Sequence, residues 1–169
     1  MLTQEITTKK TNLICVDTSR LDRFPYDPSV LKKGLTVSLD VMQDFLMSSK
    51  SGCLNLGHFG VSRIEVDLTL CGSYKIKSLN RAYRDKPKTT DVLSFPVYET
   101  LRSDADSFVD PGPIVHLGDI FICKEVALRQ AKEFQISFEE EVLHLFVHGF
   151  LHLCGYDHEL SREEEKLMF

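Results

Sequence analysis

The sequence predicts an α+β fold: one domain over residues 1–169, with a small mixed sheet of about four strands packed with about five helices. Three observations predict it. Residues Arg63 to Leu70 alternate between apolar and polar side chains, which is typical of a strand. Residues from Ser29 to about Met47 place apolar side chains three and four positions apart, which is typical of an amphipathic helix. No repeat, low-complexity tract or linker divides the chain, so we expect a single domain.

The composition excludes several classes of protein. Its residues are 43% hydrophobic and 27% charged, close to ordinary globular usage, which excludes disordered and collagen-like chains. The net charge of −5 argues against a protein that coats nucleic acid through overall positive charge, although it is compatible with a local basic patch. The sequence has no apolar run of about 18 residues and no apolar signal segment, so we expect a cytoplasmic protein that does not contact a membrane.

The cysteines are scattered without a Cys-x-x-Cys pair, so they do not indicate a disulfide framework. We expect them to be small buried apolar side chains in a reducing compartment. They are Cys15, Cys53, Cys71, Cys123 and Cys154.

The first half of the chain is predicted as strand, helix and strand. Residues 1–12 are polar, and the first predicted strand is Leu13 to Asp17. The long helix and the alternating strand described above follow it. Glycines at positions 52, 57 and 60 place a loop between those two elements.

Ser73 is predicted to cap a short helix with a basic outer face. The inner face consists of Ile76, Leu79 and Tyr83, and the outer face of Lys75, Lys77, Arg81 and Arg84. A loop from Asp85 to Thr90 leads to a strand at Val92 to Val97, in which Pro96 favours an edge position or the end of the strand. A long irregular stretch from Glu99 to Pro113 is expected at the surface.

The last third is predicted as a strand at Leu117 to Cys123 followed by helices, the first at Lys124 to Phe134. Ser and Glu three residues apart form a capping box at the start of a helix. The pair Ser137 and Glu140 begins a long apolar helix that runs to about Leu153. A second pair, Ser161 and Glu164, predicts a final helix that runs to the chain end.

Three histidines near the end of the long helix have the spacing of a metal site. His148 and His152 are four residues apart, so their rings project from one helix face about 6 Å apart along the axis. Gly155 favours the left-handed conformation that ends a helix and reverses the chain, which delivers His158 from the other side. Three imidazoles and water make a catalytic zinc site, so we predict one Zn²⁺ ion per chain. Histidine ligands also suit nickel, copper and iron.

The HxxxHxxGxxH spacing is similar to that of metzincin-type zinc enzymes, so we expect a zincin-like metal helix. Those peptidases have a glutamate directly after the first histidine as general base, whereas this sequence has Gly149. The missing carboxylate disfavours peptide hydrolysis by the usual route.

Two neighbours of the motif are candidates for supporting roles. His144 stands one turn before His148, and we predict that it lines the pocket or supports a ligand, with a plain core position as the alternative. Asp157 either holds a ligand histidine in one tautomer or stabilises the turn. His58 and His116 are expected in loops at the surface.

A basic segment runs from Ser73 to Thr90, where the only acidic residue is Asp85. It predicts a surface for phosphate groups, with a solvated helix face as the alternative. Arg84, at the helix end, is predicted to project into a cleft as a phosphate clamp, because a guanidinium donates paired hydrogen bonds. Further substrate contacts are predicted at Arg81, Lys86 and Lys88. Single-stranded RNA would also stack a base on an exposed aromatic ring, for which Tyr83 and Tyr156 are candidates unless they are buried.

Three segments together resemble the YbeY family of metal-dependent endoribonucleases. They are Asn80-Arg-Ala-Tyr-Arg84 with the following Thr90-Asp-Val-Leu-Ser-Phe-Pro96, the strand Leu117-Gly-Asp-Ile120, and His148 to His158. The similarity spans residues from about Ile64 to His158, whereas the first 60 residues match weakly.

The resemblance implies a zinc-bound endoribonuclease of the bacterial cytoplasm that prefers single-stranded RNA. The implied roles are maturation of ribosomal RNA, notably at the 3′ end of the small-subunit RNA, and ribosome quality control. The implied partner is the small ribosomal subunit or its RNA. The resemblance also implies that His148, His152 and His158 bind the metal and that the family's functionally important arginine is Arg84.

The sequence leads to one hypothesis and two rivals. In the first, the metal polarises a phosphate oxygen or activates water while Arg84 stabilises charge in the transition state. The proton acceptor stays open, as does the choice between water and a ribose hydroxyl as nucleophile. The second hypothesis is a metal hydrolase that acts on an amide or a small phosphoester. The third is a non-catalytic ribosome-assembly factor with a structural metal and an RNA-binding basic helix.

Overall fold

Five strands and four α-helices make up the part of the chain that the computed structural model describes, residues 3–8, 13–17, 26–48, 56–98, 101 and 112–156. The strands are β1 (Thr3–Thr7), β2 (Leu13–Asp17), β3 (Arg63–Cys71), β4 (Val92–Pro96) and β5 (Ile114–Cys123). The helices are α1 (Pro28–Leu46), α2 (Ser73–Arg84), α3 (Lys124–Phe134) and α4 (Phe138–Leu153), with a 3-10 turn at Leu56–Phe59. The predicted α+β class is confirmed.

The strands form one mixed sheet in the order β1-β2-β3-β5-β4. The three central strands are parallel, and β1 and β4 are antiparallel to their neighbours at the two edges. The edge strand β1 was not predicted, because Ile6 is the one apolar residue of its TQEIT sequence. The edge position of β4 was predicted, and the strand ends at Pro96.

The main core lies on one face of the sheet. The apolar residues of the alternating strand β3 are buried there, as predicted: Ile64, Val66, Leu68 and Leu70. Apolar side chains of α1 and α4, including Leu35, Leu39, Phe146 and Phe150, join the same cluster. The histidine-bearing helix α4 is therefore fixed against the sheet by its apolar side chains.

A smaller cluster covers part of the opposite face. Ile76 of α2 is fully buried there with Cys71 and Cys123, at the ends of β3 and β5. Leu79 of α2 and the strand residue Phe95 pack against this cluster. The basic helix α2 and the histidine helix α4 therefore lie on opposite faces of one sheet.

The edge strand β4 separates these two helices. Ser94 pairs directly with Ile120 of β5, and both side chains lie close to Gly149 of α4. The next residue, Phe95, points to the opposite face because successive strand residues alternate. Its ring contacts the ring of Tyr83 in α2, with the ring centroids 4.9 Å apart.

The helix boundaries agree with the predicted capping signals, with one exception. Ser137 and Glu140 form the predicted capping box: the Glu140 N–H donates to Ser137 Oγ at 3.1 Å, and the Ser137 N–H donates to Glu140 Oε2 at 2.8 Å. The prediction that Ser73 caps α2 is wrong, since the N-cap is Gly72. The Ser73 N–H instead donates to Glu125 Oε2 at 3.0 Å, which ties the start of α2 to α3.

Other predictions have mixed outcomes. Cys71, Cys123 and Cys154 are buried free thiols, as predicted, whereas Cys53 and the side chain of Cys15 lie outside the description. His116 lies in strand β5 and not in a loop, because β5 begins three residues earlier than expected, and His58 is exposed in the 3-10 turn. The proposed helix from Ser161 and most of the loop from Glu99 to Pro113 lie outside the described residues. Among the helices described, none is long and apolar enough to cross a membrane.

Candidate active site

His148 and His152 face each other on the last two turns of α4. Their Nε2 atoms are 3.1 Å apart, the ring centroids are 4.7 Å apart, and the ring planes are inclined at 82°. Both side chains are partly buried. The four-residue spacing places them on the same helix face, one turn apart, so the convergence of the two nitrogens follows directly from the sequence pattern.

The separation of the two nitrogens fits a shared metal ion. Nitrogen ligands bind zinc at about 2.0–2.1 Å, so two of them on one tetrahedral ion lie about 3.3 Å apart. The imidazole is also the commonest metal ligand of proteins when neutral. Within the described ranges, no group of three His, Cys, Asp or Glu side chains forms a metal site. The third predicted ligand, His158, and its neighbour Asp157 lie outside the description, so both stay predictions.

The chain turns sharply after the histidine pair. Gly155 has a φ of +91°, the left-handed conformation predicted from its position, and its N–H donates to the His152 carbonyl at 3.0 Å. The Tyr156 N–H donates to the Leu151 carbonyl at 3.1 Å, and the Tyr156 ring is buried beside Phe45. Burial excludes Tyr156 as a ring for base stacking.

Gly149 faces the sheet at a position where a side chain would be crowded. A Cβ at this position would lie 3.0 Å from Ser94 Oγ, 3.0 Å from Ile120 Cγ2 and 3.3 Å from Val92 Cγ2. These separations are shorter than ordinary contacts between carbon atoms. A side chain at this position would therefore require Ser94, Ile120 and Val92 to shift, so close packing of α4 on the sheet disfavours a glutamate here.

His144 lies at the surface of α4, with 60% of its side chain exposed. Its Nδ1 is 3.8 Å from Oε2 of the buried Glu141, one turn earlier on the helix. Burial raises the pKa of Glu141, with a counteracting effect from His144 and a further increase from Asp91. The exposure excludes a plain core position for His144. Its predicted supporting role stays a prediction.

Four exposed cations form what we call the basic surface, at the end of α2 and in the loop after it: Arg81, Arg84, Lys86 and Lys88. The helix ends at Asp85, whose left-handed backbone (φ +52°) turns the chain away. A basic patch of this kind binds phosphate groups largely without regard to base identity. The structure thus places the predicted clamp Arg84 and the other three predicted contacts together.

Asn80 holds the loop of the basic surface in place. Its side chain is 2% exposed, and its Nδ2 donates to the Lys88 carbonyl at 2.8 Å. The backbone carbonyl of Asn80 accepts the backbone N–H groups of Asp85 and Lys86. In the sequence, Asn80 was identified only as part of a family motif. Its position gave a further signal that was missed, because a polar residue on the inner face of an amphipathic helix usually has a structural partner.

Asp91 joins the same loop to the sheet and to α3. Its carboxylate accepts hydrogen bonds from the Val92 N–H at 2.9 Å, from Thr90 Oγ1 at 3.1 Å and from Gln130 Nε2 at 3.1 Å. Burial alone raises the pKa of Asp91, but these hydrogen bonds outweigh burial and hold the pKa below its ordinary value. Asp91 thus stabilises the loop that carries Lys88 by joining it to β4 and α3. Its partner Gln130 is distant in sequence, so no local pattern predicted the contact.

The comparisons with known proteins agree with the motifs. The family described as Endoribonuclease YbeY matches residues 40–169. The Endoribonuclease YbeY of Aquifex aeolicus is 43% identical over 113 residues, which cover 67% of this chain and 69% of that protein. The Endoribonuclease YbeY of Heliobacterium modesticaldum is 47% identical over 107 residues, which cover 63% of this chain and 64% of that protein.

A solved structure is also similar in part. The solution structure of a Thermotoga maritima protein matches with a TM-score of 0.40 and 28% sequence identity, and it covers 79% of this chain and 77% of that one. The family assignment depends on the sequence matches alone. Because the family match extends over well more than half of the residues, the chain belongs to the YbeY family of endoribonucleases.

Proposed function

We propose that this protein cleaves phosphodiester bonds of single-stranded RNA with a zinc ion held by His148, His152 and His158. The observation that carries the proposal is the convergence of the His148 and His152 Nε2 atoms to 3.1 Å. The two nitrogens are within hydrogen-bond distance of each other, and the same separation fits two ligands of one ion in a chain that belongs to an endoribonuclease family. The third ligand is proposed from the spacing of the motif.

The chain supplies the ligands but no general base at the position that metzincins use. A bound zinc ion supplies a Lewis acid and lowers the pKa of water to about 7, which reduces the need for a strong base. Gly149 carries no carboxylate, and its close contacts with the sheet disfavour a larger side chain there. The proton acceptor therefore belongs to another residue or to solvent. This arrangement disfavours the rival function of peptide hydrolysis.

Arg84 is proposed to bind the scissile phosphate and to stabilise negative charge in the transition state. It is exposed in the last turn of α2, and the preceding residue, Tyr83, contacts Phe95 of the edge strand that separates α2 from α4. A guanidinium stays charged at every relevant pH and donates two parallel hydrogen bonds to phosphate. Arg81, Lys86 and Lys88 are proposed to bind neighbouring phosphates, which positions the RNA backbone without selecting bases.

The proposed substrate is ribosomal RNA of the small subunit, near its 3′ end, in the bacterial cytoplasm. The resemblance of the motifs supports this substrate, and it also supports a role in ribosome quality control. A positive surface at an exposed loop supports a phosphate ligand of either strandedness. We propose single-stranded RNA because its backbone is flexible. A flexible strand can pass around the edge strand β4, from the basic surface on one face of the sheet to the histidines on the other.

The test is cleavage of an end-labelled single-stranded RNA by the zinc-loaded protein, with and without a chelator. We expect cleavage that the chelator abolishes and that His152→Ala lacks, whereas His58→Ala, which removes an exposed histidine elsewhere, keeps it. Unchanged cleavage by His152→Ala would contradict the proposal. Peptide degradation without RNA cleavage would favour the rival hydrolase. Normal ribosomal RNA processing in cells with a folded, RNA-binding His152→Ala protein would favour a non-catalytic assembly factor.

The ends of the products identify the nucleophile. A cyclic phosphate at the cut shows attack by the neighbouring ribose hydroxyl, because that oxygen becomes part of the product. A simple monophosphate leaves hydrolysis by water open.

A further inference from the structure

An exposed tyrosine ring lies next to the basic surface. Tyr83 is 70% exposed, although it was predicted on the inner face of α2. The prediction was wrong because β4 is the edge strand of the described sheet, so no further strand covers the ring at the end of the helix. A single exposed ring is ordinary on a protein surface, but this one also packs on Phe95 of the sheet and lies beside the four cations of the basic surface.

The Tyr83 ring is held in place by the sheet. It contacts Phe95 of β4 edge-on, with the centroids 4.9 Å apart and the planes at 67°. Phe95 in turn contacts Phe121 of β5, with the centroids 5.7 Å apart and the planes at 83°. Both contacts have the T-shaped geometry that aromatic pairs prefer. The tyrosine ring therefore packs on the sheet through Phe95 while most of its surface stays open to a ligand.

The neighbours of the ring define the ligand chemistry. Tyr83 directly precedes Arg84 and lies in the same helical turn as Arg81, and the loop after the helix adds Lys86 and Lys88. A ligand for this surface offers a flat aromatic face and several negative charges within a few ångströms of it. A nucleotide of an unpaired strand has both, whereas the faces of a paired base are covered by its neighbours in the duplex.

We propose that Tyr83 stacks on one base of single-stranded RNA while Arg84 and the other cations of the basic surface bind the flanking phosphates. This inference rests on the proposed function and adds a base-binding subsite to it. Every base has an aromatic face, so the subsite selects unpaired nucleotides without a strong sequence preference. It gives a physical origin for a preference for single strands.

The test is the affinity of a short fluorescent oligouridine for the zinc-loaded protein, read by anisotropy before cleavage begins. Base stacking of this kind contributes a factor of about 5- to 150-fold in affinity, so Tyr83→Leu should weaken binding within that range. Tyr83→Phe, which keeps the aromatic face, should bind within about twofold of the wild type. The control is Tyr74→Leu, because Tyr74 is 90% exposed at the other end of α2 and should leave the affinity unchanged.

A second measurement separates stacking from a structural effect of the substitution. One uridine at a time is replaced by an abasic nucleotide along the oligomer. For the wild type, the abasic nucleotide at one position should weaken binding about as much as Tyr83→Leu does. With the abasic nucleotide at that position, the affinity of the Tyr83→Leu protein should not fall further. Equal affinity of Tyr83→Leu and wild type, or equal losses at every abasic position in both proteins, would overturn the inference.

The outcomes also distinguish this inference from the proposed function. A wild type that binds and cleaves RNA, with Tyr83→Leu equal to it, overturns the stacking subsite and leaves the proposed function intact. A wild type that neither binds oligouridine nor cleaves RNA overturns both. Unfolding curves of the variants serve as the control for folding, and we expect little change because the ring is mostly exposed.

Discussion

Gly149 of α4 lies so close to Ser94 of β4 that a Cβ on the glycine would be 3.0 Å from the serine Oγ. The glycine thus lets the helix lie close to the edge strand, where any larger residue would require its neighbours to shift. The glycine directly follows His148, one of the converging pair. The close approach disfavours a glutamate directly after this first histidine.

Gly149→Ala tests this packing. The added methyl group forces Ser94, Val92 and Ile120 to move, at a cost of about 1–3 kcal/mol for overpacking. Alanine recovers up to about 1 kcal/mol of helix propensity relative to glycine. We therefore expect a net loss of about 1 kcal/mol in the free energy of unfolding, measured with urea, and a larger loss for Gly149→Val.

Gly34→Ala is the matched control for helix propensity. Gly34 lies in the middle of α1, and a Cβ there would clash with Cδ1, Cδ2 and Cγ of Leu143, so this single flexible side chain must adopt another rotamer. We expect it to be less destabilising than Gly149→Ala. An equal loss of unfolding free energy in the two variants would show that the contacts of Gly149 with the sheet do not restrict this position more than Leu143 restricts Gly34.

Short-range patterns predicted much of the fold. The alternation of β3 and the capping box of α4 depend on residues close in sequence, and both are confirmed. The same is true of the left-handed turn at Gly155. Position in the sheet depends on distant pairing, which a local pattern does not contain. For this reason β1 was missed and Tyr83 was predicted as an inner residue.

In the candidate site, too, local contacts were predictable and contacts between distant residues were not. The convergence of His148 and His152 was predictable because a four-residue spacing on a helix fixes it. The roles of Asn80 and Asp91 were not predictable, because their partners are a loop carbonyl and the distant Gln130. The crowding at Gly149 was not predictable either, because the atoms that cause it belong to the sheet and not to the helix.

Arg84→Ala is expected to reduce the kcat of RNA cleavage by about 10²–10³-fold, by analogy with the loss of one oxyanion-hole donor. Arg84 is not a metal ligand in this account, so the zinc content of the variant should equal that of the wild type. Arg84→Lys should recover only part of the activity, because an ammonium lacks the paired geometry of a guanidinium. Loss of zinc together with activity in Arg84→Ala would contradict the role assigned to this residue.

Asn80→Ala is expected to release the loop of the basic surface. It removes the hydrogen bond to the Lys88 carbonyl and should lower the free energy of unfolding by about 0.5–1.5 kcal/mol. The larger effect should be on RNA binding, measured as an increased KM with a smaller change in kcat, because Lys86 and Lys88 lose their fixed positions. Ser78→Ala, on the exposed side of the same helix, is the control. A KM that stays at the wild-type value would show that Asn80 does not position the loop.

Asp91 gives the stability a defined pH dependence. Its pKa is lowered in the folded protein, so its charged form stabilises the fold above the ordinary aspartate pKa of about 3.9. This stabilisation is lost as the pH falls through the folded-state pKa. The difference in unfolding free energy between wild type and Asp91→Asn should therefore be largest near neutral pH and shrink below about pH 4. A difference that is constant across this range, in urea titrations at successive pH values, would exclude the charged Asp91 as its source.

The most direct test of the account is an anomalous difference map from crystals of the zinc-loaded protein, recorded on both sides of the zinc absorption edge. We expect one peak per chain, bonded to Nε2 of His148 and His152 and to a ring nitrogen of His158, with one coordination position open to solvent. A peak elsewhere, or a fourth protein atom that closes the remaining position, would contradict a catalytic metal at this helix.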